Sequence, residues 1–315
     1  TCSFAAMDTK NKQMKVKSDK PFIFILCCTF LIVSTISCSH QSQSKERNQI
    51  VKAQTTESRI DSTLLKYTSG VRSILEDSKG NIWFGLRDGI IVRFDGKSYS
   101  SYTTKDGLPG SIIYSMLEDR KGNIWFCTEG AGVYKYDGIK LTVYSEKEGL
   151  FSKGVTSIAE DDKGNIWFGT HAGVSMFDGK TITGFTESKG LHGPGCNLLI
   201  DRNGIIWAGT NDGLFRFDGS SFVEFKLPDP EITDPSYKWV RGKIWCIMED
   251  SHGNLWFGRD GYGACKYDGE SYTHFTTKDG LCSNNVASIA EDDRGHIWFG
   301  SITSDFPEFK KEGGL

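Results

Sequence analysis

Short alternating runs of hydrophobic and polar residues dominate most of the chain. Between 71 and 102 the order is VRSILED, a KGN turn, IWFG, a polar loop, IIVRFDG and then KSYSSYT. Each run is β-branched or aromatic at alternate places and is bounded by Gly, Asp, Asn or Lys. That pattern predicts four short antiparallel strands joined by tight turns. Asp-x-x-Gly-Asn and aromatic-Asp-Gly turns supply the side-chain-to-backbone bonds and the positive φ that such hairpins need.

The same unit returns along the chain. GNIWFG at 80–85 recurs as GNIWFC at 122–127, GNIWFG at 164–169, GIIWAG at 204–209, GNLWFG at 253–258 and GHIWFG at 295–300. The anchor tryptophans are Trp83, Trp125, Trp167, Trp207, Trp256 and Trp298, spaced 42, 42, 40, 49 and 42 residues apart. Six residues before each stands an aspartate: Asp77, Asp119, Asp161, Asp201, Asp250 and Asp292. Four strands repeated at this period predict an all-β fold, a β-propeller of four-stranded blades.

The ends of the repeat set the expected closure. FGSITSDFPEFKK aligns on FGLRDGIIVRFDG with Phe309 at the register of Phe94, so the last unit would stop after its third strand, and DSTLLKYTSG at 61–70 aligns on GKSYSSYTTK with Tyr67 at the register of Tyr102. The expectation is six blades with a three-plus-one closure, which removes free sheet edges. Seven blades is the alternative and would require a further blade within 226–245.

At this point the residues carry a resemblance. The pattern EDxxGNIWFGTxxGVxxYDG followed by FTxxDGL resembles the two-component regulator propeller repeat, over roughly 61–311. The resemblance implies a sensing or interaction module of the kind found in extracellular regions of bacterial hybrid histidine kinases. It does not imply phosphotransfer by this chain.

Composition narrows the function. The net charge is −3 and the pI near 6.1, so there is no basic footprint for nucleic acid. Met14 opens a basic segment, MKVKSDK, followed by the apolar PFIFILCCTFLIVSTIS and Cys38. This reads as a signal peptide with a lipobox-like TISC at 35–38, in which Cys38 would be lipidated; an uncleaved anchor helix is the alternative. Met7 is the other possible start. The expected organisation is a leader at 1–38, a polar linker at 39–60 and the propeller at 61–315, held at a membrane outside the cytoplasm, in a bacterial periplasm or at the cell surface. Cys127, Cys196, Cys246, Cys265 and Cys282 have neither disulfide-framework nor metal spacing and read as small buried hydrophobes.

Six copies in one chain separate scaffold from site. What every blade carries serves every blade; a function occurs once. The repeated aspartates and tryptophans are therefore scaffold, and EDDKGN at 160–165 lacks the ligand spacing of a calcium loop. The second-to-third loops differ from copy to copy. They contribute Arg87, Asp88, Glu129, His171, Asn211, Asp212, Arg259, Asp260 and Tyr262 as candidate ligand-binding residues. The starts of the first strands add Arg72, Tyr114 and Trp245 at the expected channel mouth, and a long proline-rich link at 226–243 adds Trp239. The expected function is a non-catalytic ligand- or protein-binding propeller, with a glycan or peptide ligand and a separately encoded sensor kinase or membrane protein as candidate partners. The alternative is an enzyme of the streptogramin-lyase type, with His171 and His192 beside Glu129 or Asp212 holding a divalent metal. No nucleophile elbow, phosphate loop or metal motif is present, so no cofactor is expected.

Overall fold

The computed structural model describes residues 2–7, 14–15, 70–231 and 242–302. It contains six four-stranded antiparallel sheets. In five of them the strands follow chain order from one edge to the other, as the predicted meander requires. The first strands are Val71–Glu76, Ile113–Glu118, Val155–Glu160, Asn197–Ile200 and Ile244–Glu249, and the sixth sheet begins with Val286–Glu291. First strands of consecutive blades pack against one another, which places them at the centre of the assembly.

The sixth sheet departs from expectation. Ile297–Ile302 pairs on one side with Val286–Glu291 and on the other with Cys2–Met7, and Met14–Lys15 lies beyond. Two strands thus come from each end of the chain, in place of three plus one. Ladder hydrogen bonds are made by backbone, so a sheet edge selects an extended segment by reach and register more than by side chain. The strands expected at 61–69 and 303–311 lie outside the described residues. So do Cys38 and the linker at 39–60. Within 226–245 the described residues hold no strand before Ile244, and 232–241 are outside the description.

Blade-to-blade packing explains two recurring features of the repeat. The second strand carries a glycine, Gly85, Gly169, Gly209 or Gly258, where it passes the first strand of the next blade. A Cβ at Gly169 would collide with Ser157 Oγ and the Cys196 carbonyl, and one at Gly209 would sit 2.6 Å from Ile244 Cγ2. The tryptophan two residues earlier is buried between blades. Trp125 stacks on Tyr144 of its own fourth strand with centroids 5.4 Å apart and meets Phe168 of the next blade at 5.8 Å. Trp83 repeats this with Tyr102 and Phe126, and Trp256 with Phe275 and Phe299. Such contacts add roughly 0.5–1.5 kcal/mol per pair beyond area burial.

Candidate functional site

One face of the assembly is scaffold. Asp119 Oδ2 accepts the indole N–H of Trp125 at 2.8 Å, and Oδ1 accepts the backbone N–H groups of Lys121 and Asn123. The same set holds Asp77, Asp161 and Asp250 to Trp83, Trp167 and Trp256. Burial opposes the charge on these carboxylates, but the indole, amide and backbone donors outweigh it and hold them below the ordinary 3.8. The aromatic-Asp-Gly turns work likewise: Asp218 accepts from the backbone N–H groups of Ser221 and Ser220 and is lowered to about 2. Adjacent turns are also tied together. Ser78 donates its backbone N–H to Glu118, Arg120 to Glu160, Arg202 to Glu249 and Ser251 to Glu291.

The other face gathers the candidates. Arg87 N–H donates to Gly70 O at 3.0 Å, Glu129 N–H to Ile112 O at 3.0 Å, His171 N–H to Gly154 O at 2.9 Å and Asn211 N–H to Pro194 O at 3.1 Å. Asp260 N–H donates to Lys243 O at 3.1 Å. Each bond ties a second-to-third loop to the link that enters a first strand, at the residue just before it in four blades and three residues before it at Pro194. Loops and strand starts therefore share a face, and the length of the first strand separates them from the aspartate turns. His171 lies across a strand from Asp161 rather than beside it. Part of this face is scaffold too: Thr128, Thr170 and Thr210 cap their own loops, and links such as Thr103–Asp106 close as capping boxes that seat a buried leucine.

A β-bulge falls at one register in five blades and shapes the channel mouth. The pairing shifts between Val71 and Ser73, Ile113 and Ser115, Val155 and Ser157, Ile244 and Cys246, and Val286 and Ser288. The extra residues are Arg72, Tyr114, Thr156, Trp245 and Ala287, and three of them, Arg72, Tyr114 and Trp245, are the candidates expected at the channel mouth. A bulge re-aims its side chain out of the strand alternation. Arg72 and Tyr114 consequently meet across a blade boundary, with the guanidinium carbon 5.9 Å from the ring centroid. Burial first, then the nearby Glu129 carboxylate, raise the Tyr114 pKa above its ordinary 10; Arg72 and Arg87 oppose the rise. Arg72, Arg87, Tyr114 and Glu129 form one charged cluster over the first two blades. In the fourth blade no shift occurs, and Cys196 is buried instead.

A second cluster occupies the fourth and fifth blades. Lys243 Nζ sits 3.4 Å from the Trp245 ring centroid, and burial lowers its pKa while Asp260 opposes. Asn197 Nδ2 donates to the carbonyls of Ile244 and Trp245 at 3.2 and 2.8 Å. Neither Asn197 nor Lys243 stood out in the sequence. Asn197 opens the first strand of the fourth blade and Lys243 immediately precedes that of the fifth.

Arg259 needs correcting as a ligand-facing residue. Its side chain is 5% exposed, donates Nη1 to Pro228 O at 2.8 Å and Nη2 to Asp229 Oδ1 at 2.6 Å, and lies 4.4 Å over Tyr262. It stands where three sister blades have the capping threonine, and it holds the start of the long link instead. Asp260 is also buried. His274, on the fourth strand Tyr272–Phe275 of this blade, lies near this group; burial, then Arg259, lower its pKa. Trp239 lies outside the described residues.

The histidines are not assembled with acids into a metal set. The His171 ring lies over Gly154 beside the Glu129 carbonyl, whereas His192 Nδ1 is 3.9 Å from Glu187. Asp212 packs beside Gly193 and donates its N–H to the Thr210 hydroxyl, and Asn211 and Asp88 sit in their own loops. Among the described residues no three His, Cys, Asp or Glu side chains group to hold a metal. Among the cysteines, Cys127, Cys196 and Cys265 are buried, Cys246 is half-buried with its thiol pushed up to about 12 by burial, and Cys282 is exposed, contrary to expectation.

Six blade sheets around central first strands, with repeated turns on one face and individual loops on the other, define a β-propeller-like protein. The two-component regulator propeller family matches five segments, at 68–88, 107–130, 149–172, 240–258 and 280–303, and the repeats of this chain are of that type. Among solved structures, the extracellular domain of a hybrid two-component system from B. thetaiotaomicron is 19% identical with a TM-score of 0.56, over 74% of this chain and 33% of that one. The chain therefore spans about a third of that relative's length. A catalytically inactive virginiamycin B lyase from Staphylococcus aureus, solved with quinupristin, is 19% identical with a TM-score of 0.55, over 75% of this chain and 82% of that one. A streptogramin B lyase is 16% identical with a TM-score of 0.57, over 73% of this chain and 76% of that one. At these identities the likeness is one of fold. No curated protein matches the sequence.

Proposed function

We propose that the protein is a non-catalytic sensory or interaction module that binds its ligand or partner on the face carrying the bulged strand starts. The observation behind this reading is the unequal construction of the two faces. The turn face repeats one hydrogen-bonded solution, whereas the opposite face concentrates the non-repeating side chains, with Arg72, Arg87, Tyr114 and Glu129 on one side and Lys243 and Trp245 on another. Mixed charge beside two aromatic platforms suits a polar ligand such as a peptide or glycan, held by charge-assisted hydrogen bonds and ring contacts.

The repeat type and the extracellular relatives support a place in signalling across an envelope, with a separately encoded sensor kinase or membrane protein as receiver. Lipidation at Cys38 would hold the propeller at a bacterial membrane, in the periplasm or at the cell surface. Among the described residues no helix is long and apolar enough to cross a membrane.

A thermal-shift screen of the purified protein against peptide and glycan panels tests the reading, with Y114A and W245A as controls. Stabilisation by a compound class that both variants abolish is expected; stabilisation that neither variant alters would move the site elsewhere. The lyase alternative predicts a stoichiometric divalent metal and turnover of a streptogramin such as quinupristin, both lost in H171A.

A further inference from the structure

Residues 226–231 are strapped to the fifth blade by two cations. Arg259, at the end of the second strand Leu255–Arg259, holds Pro228 O through Nη1 and Asp229 Oδ1 through Nη2. Lys278, beyond the fourth strand, donates Nζ to Glu231 O at 3.4 Å. Between them Leu227 packs on the apolar cluster that contains Trp207 and Phe257. Two buried atoms of this blade have no hydrogen-bond partner among the described residues, Arg259 Nε and His274 Nδ1. A neutral imidazole leaves such a nitrogen as an unfilled acceptor, whereas an imidazolium makes it a buried N–H donor with nowhere to donate. Arg259 and Asp229 are the charged groups that act on the His274 ring. Cys265, paired opposite it on the third strand, has its thiol pushed up to about 11 by burial, and burial also raises Tyr272 on its own strand above the ordinary 10. Both are therefore neutral in mildly acidic solution, and Phe225 and Leu227 on the fourth-blade side carry no charge. Asp229 is the one carboxylate acting on the ring, and Arg259 already holds it.

We propose that protonation of His274 releases residues 226–231 from the fifth blade, so that this strap is an acid-sensitive latch whose opening uncovers Arg259 beside Tyr262. A second cation arises next to the buried guanidinium, lacks an acceptor at Nδ1 and contends for the single carboxylate that Arg259 uses to hold the strap. The direction follows from linkage. Burial first, then Arg259, lower the His274 pKa while the strap is closed, and exposure to water restores the ordinary 6.5. The open strap therefore binds the proton more tightly. The closed strap keeps its full stability above 6.5 and loses it as pH falls from there towards the lowered value. The loss is limited to the strap's own closing energy, because local opening leaves the six sheets in place. The inference concerns opening alone and does not depend on what this face binds.

Tryptic cleavage of the full chain after Lys226 tests the latch, with each rate scaled to that of a free peptide of the same sequence digested alongside. Between about pH 7.5 and about pH 5.5 the scaled rate should rise on the order of fivefold. Cleavage after Lys135, inside the strand Val133–Tyr136, should stay slow throughout. In H274Q, which takes up no proton, the scaled rate at Lys226 should be the same at both pH values. A flat rate in the parent, or a rise that H274Q retains, overturns the proposal. A parallel rise at Lys135 also overturns it, since the whole ring would then be unfolding. Histidine NMR on the unsubstituted protein keeps the test decisive if H274Q fails to fold: the His274 resonance should titrate below 6.5, and a midpoint at or above that value overturns the latch. A ligand screen that finds nothing while cleavage still responds to acid counts against the functional reading and leaves the latch standing.

Discussion

The indole N–H of Trp125 donates to Asp119 Oδ2 at 2.8 Å, and the same carboxylate caps the turn that joins the first two strands of its blade. One side chain thus couples a turn to an interblade anchor. Replacing Asp119 by Ala leaves several buried donors unpaired and is expected to cost roughly 2–3 kcal/mol, measured by urea unfolding. D119N, which keeps one acceptor, should cost less.

Acid should unfold the ring through these carboxylates. Asp77, Asp119, Asp161, Asp250 and Asp292 lie below the ordinary 3.8 in the folded state. A depressed folded value means stability that is complete above the unfolded value and lost as pH falls through the folded ones. The Tm should be flat above about pH 5 and drop steeply below about pH 4. A Tm unchanged at pH 3 would sink this account.

Several interblade glycines leave no room for a side chain, although the second blade seats the buried Cys127 in the same register. In Gly169→Ala the new Cβ meets the Cys196 carbonyl, which is backbone and cannot rotate aside. A loss of roughly 1–3 kcal/mol is expected. Gly179→Ala, with open space around it but φ of +96°, separates backbone strain from the clash and should cost less.

Tyr114 should titrate late. The difference between ultraviolet pH titrations of the parent protein and Y114F isolates its hydroxyl, expected above 10. In Glu129→Gln the value should move down but not fully back, since burial is the larger cause.

Arg259 should behave as an anchor for the long link. Arg259→Ala is expected to expose 226–231 to proteolysis and to cost roughly 2 kcal/mol, and Arg259→Lys to restore little, because a single ammonium cannot span both Pro228 O and Asp229. Cleavage kinetics unchanged from the parent in both variants would refute the anchoring role.

What sequence could show here was set by repetition. The strand order, the six-residue Asp–Trp spacing and the division of the chain into two faces all follow from comparing copies within one chain. The bulge that turns Arg72 and Tyr114 into contact is a backbone event with no residue signature of its own. Alignment marked these positions as variable, but their juxtaposition had to be seen. Arg259 misled because it occurs once, which reads as a site, whereas it replaces a capping threonine to hold a link present in one place only. The third strand of the sixth sheet was assigned to the wrong end of the chain because edge pairing is made by backbone and leaves little side-chain trace.

The Asp–Trp bond closes within six residues of one blade, so each blade carries its own means of holding its turn and its anchor. A blade of this kind is a transferable tile. Duplicating or deleting one by recombination brings the internal wiring with it and leaves only the contacts at its two flanks to be renegotiated. Such a molecule can diversify its loops at one rim generation after generation without reopening the question of how it folds.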